Sequence, residues 1–190
     1  MTHNTAWTIP NILSLYRLLV FPLLIFMIVT EQEIFFSVLF LISLITDILD
    51  GWIARKLQME SELGAKLDSW ADTFTYIAGF WAVFSFKWNE IEPHILWIIT
   101  FASAWVTIYL TMFIKFRSII GLHTYSYKIT AYLQGVCLIA LFWFGFWSWL
   151  FYLAIVWGIL SCLEEILIVC ILTEPKTDVR GLLYLMREQK

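Results

Sequence analysis

The sequence predicts an all-α integral membrane protein with six transmembrane helices and a C-terminal interfacial helix. Three observations carry that reading. The chain is 61% apolar and only 14% charged, with a mean hydropathy of +0.81, which is too little charge for a water-facing globular surface. Its apolar residues gather in six runs, each near the roughly 20 residues a helix needs to cross hydrocarbon. Its basic residues collect on one side of those runs.

The six runs cover residues 11–30, 34–55, 65–86, 95–115, 128–147 and 150–173. Nothing between them is long enough for a separate soluble domain, so 1–190 reads as a single membrane domain. Pro22 cannot donate to the carbonyl of Leu18, and a kink is expected in the first span. With the end of the first loop set on the cytoplasmic side, that side carries Arg17, Arg55, Lys56, Lys66, Lys115, Arg117, Lys128, Lys176, Arg180, Arg187 and Lys190. The opposite side carries Lys87 alone, with Glu31, Glu33, Glu90 and Glu92, and acidic residues count little in setting orientation. Both termini are therefore expected in the cytoplasm. From Thr177 the tail reads as an interfacial helix: Val179, Leu182, Leu183 and Met186 share one face, and Arg180, Arg187 and Lys190 can reach headgroups.

Eleven Trp and eight Tyr suit membrane interfaces. A net charge of −3 gives no sign of nucleic-acid binding. Cys137, Cys162 and Cys170 lie in apolar runs without a C-x-x-C pair and read as small packing residues. No Lys or Arg precedes the first apolar run and no small-residue cleavage site follows it, so a cleaved signal peptide is not expected.

The informative segment runs from Asp47 to Asp72. Ionisable groups at membrane depth are costly and are functional candidates by default. Asp47, Asp50, Gly51 and Ala54 form one stripe at i, i+3, i+4 and i+7, while Gly64, Asp68 and Asp72 form a second at i, i+4 and i+8. Two adjacent antiparallel helices can face these stripes at each other. Four carboxylates so close need a compensating cation. All-oxygen ligation without His or Cys fits Mg²⁺ or Mn²⁺, two ions being the natural number for a diphosphate substrate. Gly51 and Ala54 remove bulk so that a base or ribose can approach, Arg55 offers a donor fork for phosphate, and Gly64 opens space at the start of the third span. The plainer alternative has Asp47 and Asp50 ending a helix near water and Asp68 and Asp72 facing Lys66 or Arg55 in a solvated loop; two pairs in register weigh against it.

The segment reads D-x-x-D-G-x-x-A-R-x8-G-x3-D-x3-D, eight fixed positions over 26 residues. It resembles the signature of the CDP-alcohol phosphatidyltransferases, and length and helix number resemble that family too. The resemblance implies a six-helix fold, commonly a homodimer in a membrane of the bacterial inner type, with the active site at the cytoplasmic leaflet. It implies transfer of a phosphatidyl group from CDP-diacylglycerol to a small alcohol, with release of CMP. Asp47, Asp50, Asp68 and Asp72 match the metal-binding aspartates, and Asp72 also matches the general base. Asp50, Gly51, Ala54, Arg55 and Gly64 match the nucleotide-binding positions. Pro10-Asn11-Ile12-Leu13-Ser14-Leu15-Tyr16-Arg17 resembles the start shared by phosphatidylglycerophosphate and cardiolipin synthases, and Asn11, Ser14 and Arg17 make a polar stripe on the first span. That group often has L-D-P-x-A-D-K; here Ser69 stands for Pro and Thr73 for Lys. Glycerol 3-phosphate is the acceptor this implies first. Inositol phosphate, inositol and phosphatidylglycerol are the alternatives.

A phosphorylated acceptor needs cations, and Arg117 and Lys128 lie on the correct side; each reads equally as a headgroup anchor. His123 reads as a solvated interfacial residue, and His3 and His94 carry no signal. Glu164 and Glu165 fall inside the sixth span. A structural ion pair is expected, one of them with Arg17 or Lys128. Two other classes remain. A membrane prenyltransferase also binds metal-diphosphate through aspartate pairs, but without the G-x-x-A-R insert. An ion transporter would show broken helices or an inverted repeat, and the sequence shows neither.

Overall fold

The computed structural model describes residues 8–188 apart from 58, 60, 119, 120, 123 and 178, and it leaves aside the side chains of Arg55, Glu62, Ala65 and Glu188. His3, His123, Lys190 and the Arg55 side chain, all named above, therefore lie outside the described set. The described residues form helices and no strand. Among the described residues, four helical segments are long and apolar enough to cross a membrane: Ile9–Val29, Glu33–Ala54, Trp88–Phe116 and Ser148–Ile171. Leu19, Ile34, Leu96 and Ile114 are each more than 70% exposed, which suits lipid as the surrounding solvent and marks an integral membrane protein.

The chain divides into two compact units, Met1–Ile91 and Glu92–Lys190. The first holds α1 (Ile9–Val29), α2 (Glu33–Leu57), α3 (Glu62–Phe86) and the short α4 (Trp88–Ile91). α1 starts at a Thr8 cap whose hydroxyl accepts from the Asn11 N–H, with Pro10 in the first turn, and the helix runs on through Pro22. α3 starts where Ser61 Oγ accepts from the Gly64 N–H at 3.0 Å. α1 packs along both α2 and α3, which touch each other much less. Small buried residues on α3, Ala71, Ala78 and Ala82, allow close helix approach. Phe21 stacks on Phe74 at 4.8 Å between α1 and α3. At the far end, Lys87 Nζ pairs with Glu33 at 2.6 Å and with Glu90 at 3.6 Å, fastening the start of α2 to the end of α3.

The second unit holds α5 (Ile95–Phe116), α6 (Tyr125–Trp143), α7 (Ser148–Ile171) and α8 (Leu182–Glu188). α7 packs against α5 and α6. Gly158 lets α5 come close: a Cβ there would sit 2.6 Å from the Phe101 ring. Exposed Thr100 and Thr107 and half-buried Thr111 of α5 each donate to the carbonyl four residues back, so their hydroxyls are satisfied without water. Lys115 Nζ donates to the carbonyls of Val169 and Cys170 and caps the end of α7.

The tail corrects the expected start of the C-terminal helix. Helix begins at Leu182, not Thr177. The reason is competition for backbone groups: the Val179 N–H donates to the Leu122 carbonyl at 2.9 Å, and the Arg180 carbonyl accepts from the Tyr125 N–H at 3.2 Å. The expected single apolar face also splits. Val179 and Leu185 are buried in a core with Ile108, Met112 and Ile168, while Leu183 and Met186 are exposed.

Candidate metal centre

Three helices of the first unit build the site. α2 carries Asp47 and Asp50 one turn apart, and α3 carries Asp68 and Asp72 in the same way. α1 contributes the third wall. Arg17 Nη1 lies 2.5 Å from both Asp47 Oδ1 and Asp72 Oδ1, and Nη2 lies 2.6 Å from both Asp50 Oδ2 and Asp68 Oδ1. The two aspartate stripes do converge, but on a guanidinium from α1. Sequence reasoning placed Arg17 on a polar stripe and named no aspartate as its partner. The signal was present, since an arginine midway along an apolar helix needs acidic company.

The rest of that stripe faces the same place. Ser14 Oγ donates to Asp50 Oδ2 at 3.2 Å, sharing the oxygen that Arg17 holds. Asn11 is buried against α3, where a Cβ on Gly64 would meet its Oδ1 at 2.4 Å. Glycine at 64 thus admits the Asn11 side chain. Gly51 and Ala54 are half-buried on α2 beside Asp50.

Burial grades the cluster. The Arg17 and Asp50 side chains are 1% and 3% exposed, whereas Asp47, Asp68 and Asp72 are 39%, 43% and 38% exposed. The site has a closed floor and an open rim. Four carboxylates against one guanidinium leave a surplus of negative charge, so the focus attracts further cations. The donor set suits a hard divalent ion. Asp47, Asp50 and Asp68 can each offer one oxygen, all within 4.8 Å of one another, and an all-carboxylate set is what Mg²⁺ or Mn²⁺ takes.

The other candidates lie in the second unit. Arg117 ends α5 in a left-handed conformation, φ 56°, its N–H donating to the Phe113 carbonyl. Lys128 is exposed, with Nζ 5.8 Å from the centre of the Tyr125 ring. The expected ion pair of Glu164 or Glu165 is not found. Among the described residues of this unit no basic side chain pairs with either, and the Arg17 guanidinium is committed to the aspartates. Glu165 Oε1 accepts from Thr124 Oγ1 at 3.0 Å; Glu164 accepts from the Ser126 hydroxyl and, at 2.9 Å, from the Leu182 N–H. Neutral donors serve here because they satisfy a carboxylate without bringing a second charge out of water.

Residues 7–160 match the CDP-alcohol phosphatidyltransferase family. The chain belongs to that family. It is 39% identical over 71 residues to a CDP-diacylglycerol--glycerol-3-phosphate 3-phosphatidyltransferase of Aquifex aeolicus, an alignment covering 37% of this chain and 40% of the relative. A second protein of that name, from Wigglesworthia glossinidia brevipalpis, is 33% identical over 103 residues, 53% of this chain and 49% of the relative. A human cardiolipin synthase (CMP-forming) is 39% identical over 71 residues, 37% of this chain and 24% of the relative. In each case the match spans less than half of the relative's length. No solved structure gave a significant match.

Proposed function

We propose that this CDP-alcohol phosphatidyltransferase works in phospholipid biosynthesis, moving the phosphatidyl group of CDP-diacylglycerol onto glycerol 3-phosphate and releasing CMP. The observation that carries the reading is the convergence of four aspartates, from one 26-residue signature, on a focus with an open rim. The relatives named for the glycerol-3-phosphate reaction support the acceptor.

Asp47, Asp50, Asp68 and Asp72 would hold one or two Mg²⁺ or Mn²⁺ ions, which when bound neutralise a diphosphate and stabilise the oxygen that leaves it. Asp72, on the open rim, takes the proton of the acceptor hydroxyl. That oxygen bonds to the β-phosphorus of the CDP-lipid. The bond from this phosphorus to the bridging oxygen breaks, and its electron pair leaves with CMP. Asp50, Gly51, Ala54, Arg55 and Gly64 are assigned to the cytidine nucleotide on the strength of the signature. Arg117 and Lys128 are assigned to the acceptor phosphate: both are exposed, and among the described residues neither has an acidic partner.

A second reading takes phosphatidylglycerol as acceptor, favoured by the human cardiolipin synthase being as similar as the Aquifex protein, 39% in each case. The family match runs across the division at Ile91, which supports one membrane domain over 1–190. In this reading α3 and α6, 25 and 19 residues long, complete six spans. Charge asymmetry supports a cytoplasmic site and cytoplasmic termini, and exposed Leu183, Tyr184 and Met186 beside Arg187 support an interfacial α8. The homodimer rests on the resemblance.

The test is CMP release by purified protein with CDP-diacylglycerol and Mn²⁺. Glycerol 3-phosphate, phosphatidylglycerol, inositol, inositol phosphate and serine are supplied in turn. Release with glycerol 3-phosphate alone is expected. Release with phosphatidylglycerol alone selects the second reading, and failure to bind CDP-lipid overturns both.

A further inference from the structure

The Arg17 guanidinium stands at the point where the four carboxylates meet, each of its terminal nitrogens shared between one aspartate of α2 and one of α3. Its charge is permanent. Its head is held by the aspartates alone, since Nε has no hydrogen-bond partner among the described residues. Removing this cation would leave four carboxylates facing one another, Asp50 with almost no access to solvent. The oxygens that it holds include one from each of Asp47, Asp50 and Asp68, the three residues whose spacing suits a divalent ion. A guanidinium and a metal ion cannot share one carboxylate focus without strong repulsion at short range.

We propose that Arg17 is a built-in counter-cation: it holds the four aspartates together in the metal-free protein and competes with divalent metal for them, so that loading requires the guanidinium to move off. The proposal rests on the reading of the cluster as a metal centre. It makes Arg17 a positioning residue that sets metal affinity. A permanent structural ion pair would instead keep the guanidinium in place whether metal is bound or not.

Mn²⁺ binding, followed by electron paramagnetic resonance on the purified wild type, Arg17→Gln and Arg17→Lys, tests this without turnover. Competition predicts that Arg17→Gln binds Mn²⁺ at least about fivefold more tightly than wild type, the lower end of ordinary coupling between bound groups. Arg17→Lys should fall between them, because one ammonium cannot span four carboxylates as a fork does. Metal-free Arg17→Gln should melt below wild type, and saturating Mn²⁺ should close the gap. Equal or weaker Mn²⁺ binding by Arg17→Gln, or a melting deficit that Mn²⁺ leaves in place, overturns the competition alone. Absence of Mn²⁺ binding in all three proteins overturns the metal-centre reading and this proposal with it. A wild-type measurement covers the case in which Arg17→Gln does not fold. Labelling of Arg17 by phenylglyoxal, read by peptide mass spectrometry, should be low in the metal-free protein and rise with Mn²⁺; labelling that stays flat overturns the proposal.

Discussion

Arg17 Nη2 lies 2.6 Å from Asp50 Oδ2, and the two side chains are 1% and 3% exposed. This pair is the floor of the aspartate cluster. Asp47, Asp68 and Asp72 still balance the guanidinium when Asp50 is changed, but a buried N–H donor that loses its charged acceptor is poorly satisfied, whereas an exposed partner is replaced by water at little cost. Asp50→Asn should therefore lower metal-free stability by up to about 3 kcal/mol. Asp68→Asn, at a side chain 43% exposed, should cost less than about 1 kcal/mol. Chemical denaturation of both variants in one detergent reads the difference, and equal losses would contradict the depth ordering.

Asp72 is 38% exposed and approaches the guanidinium from the rim. Replacing it with Asn removes the assigned base while Asp47, Asp50 and Asp68 remain. CMP release should fall by roughly 10²–10⁴-fold, the usual worth of a positioned general base, and binding of CDP-lipid should survive. Undiminished turnover in Asp72→Asn would remove that residue from the chemistry.

Gly64 and Asn11 are fitted to each other. A methyl group at 64 would stand 2.4 Å from Asn11 Oδ1 and 2.9 Å from the Ser61 hydroxyl that caps α3. Gly64→Ala should destabilise by about 1–3 kcal/mol, as overpacking does. Asn11→Ala in the same chain should recover part of that loss, a coupling measurable by a double-mutant cycle. Strict additivity would mean that the clash is relieved by Ser61 instead.

These pairings mark where sequence stopped being informative. The aspartate stripes were legible because both members of each stripe lie on one helix, and spacing along a helix fixes the face. The Arg17 partnership spans three helices, and nothing in local spacing reports the register of one helix against another. The first span's polar stripe was visible, yet it could be joined to the aspartates only once α1 was seen to pack on both α2 and α3. Glu164 and Glu165 failed for a related reason. Buried carboxylates were expected to find a cation, but Thr124, Ser126 and the start of α8 supply neutral donors from segments distant in sequence. The start of the tail helix was placed too early by periodicity alone, which cannot register that residues 179 and 180 commit backbone groups to the 122–125 segment.

Glu164 gives the last prediction, because it joins α7 to the start of α8. Its Oε1 accepts from the Leu182 N–H at 2.9 Å, doing for α8 what a capping side chain does from within a helix. Glu164→Ala should loosen α8 by about 1 kcal/mol, the ordinary worth of a cap. That corresponds to roughly fivefold faster hydrogen exchange at the Leu182 amide if the helix opens locally. Glu164→Gln keeps an acceptor oxygen and should retain most of the protection. Unchanged exchange in Glu164→Ala would instead place the anchoring of this segment in Val179 and Leu185, which are 5% and 4% exposed in the core beneath it.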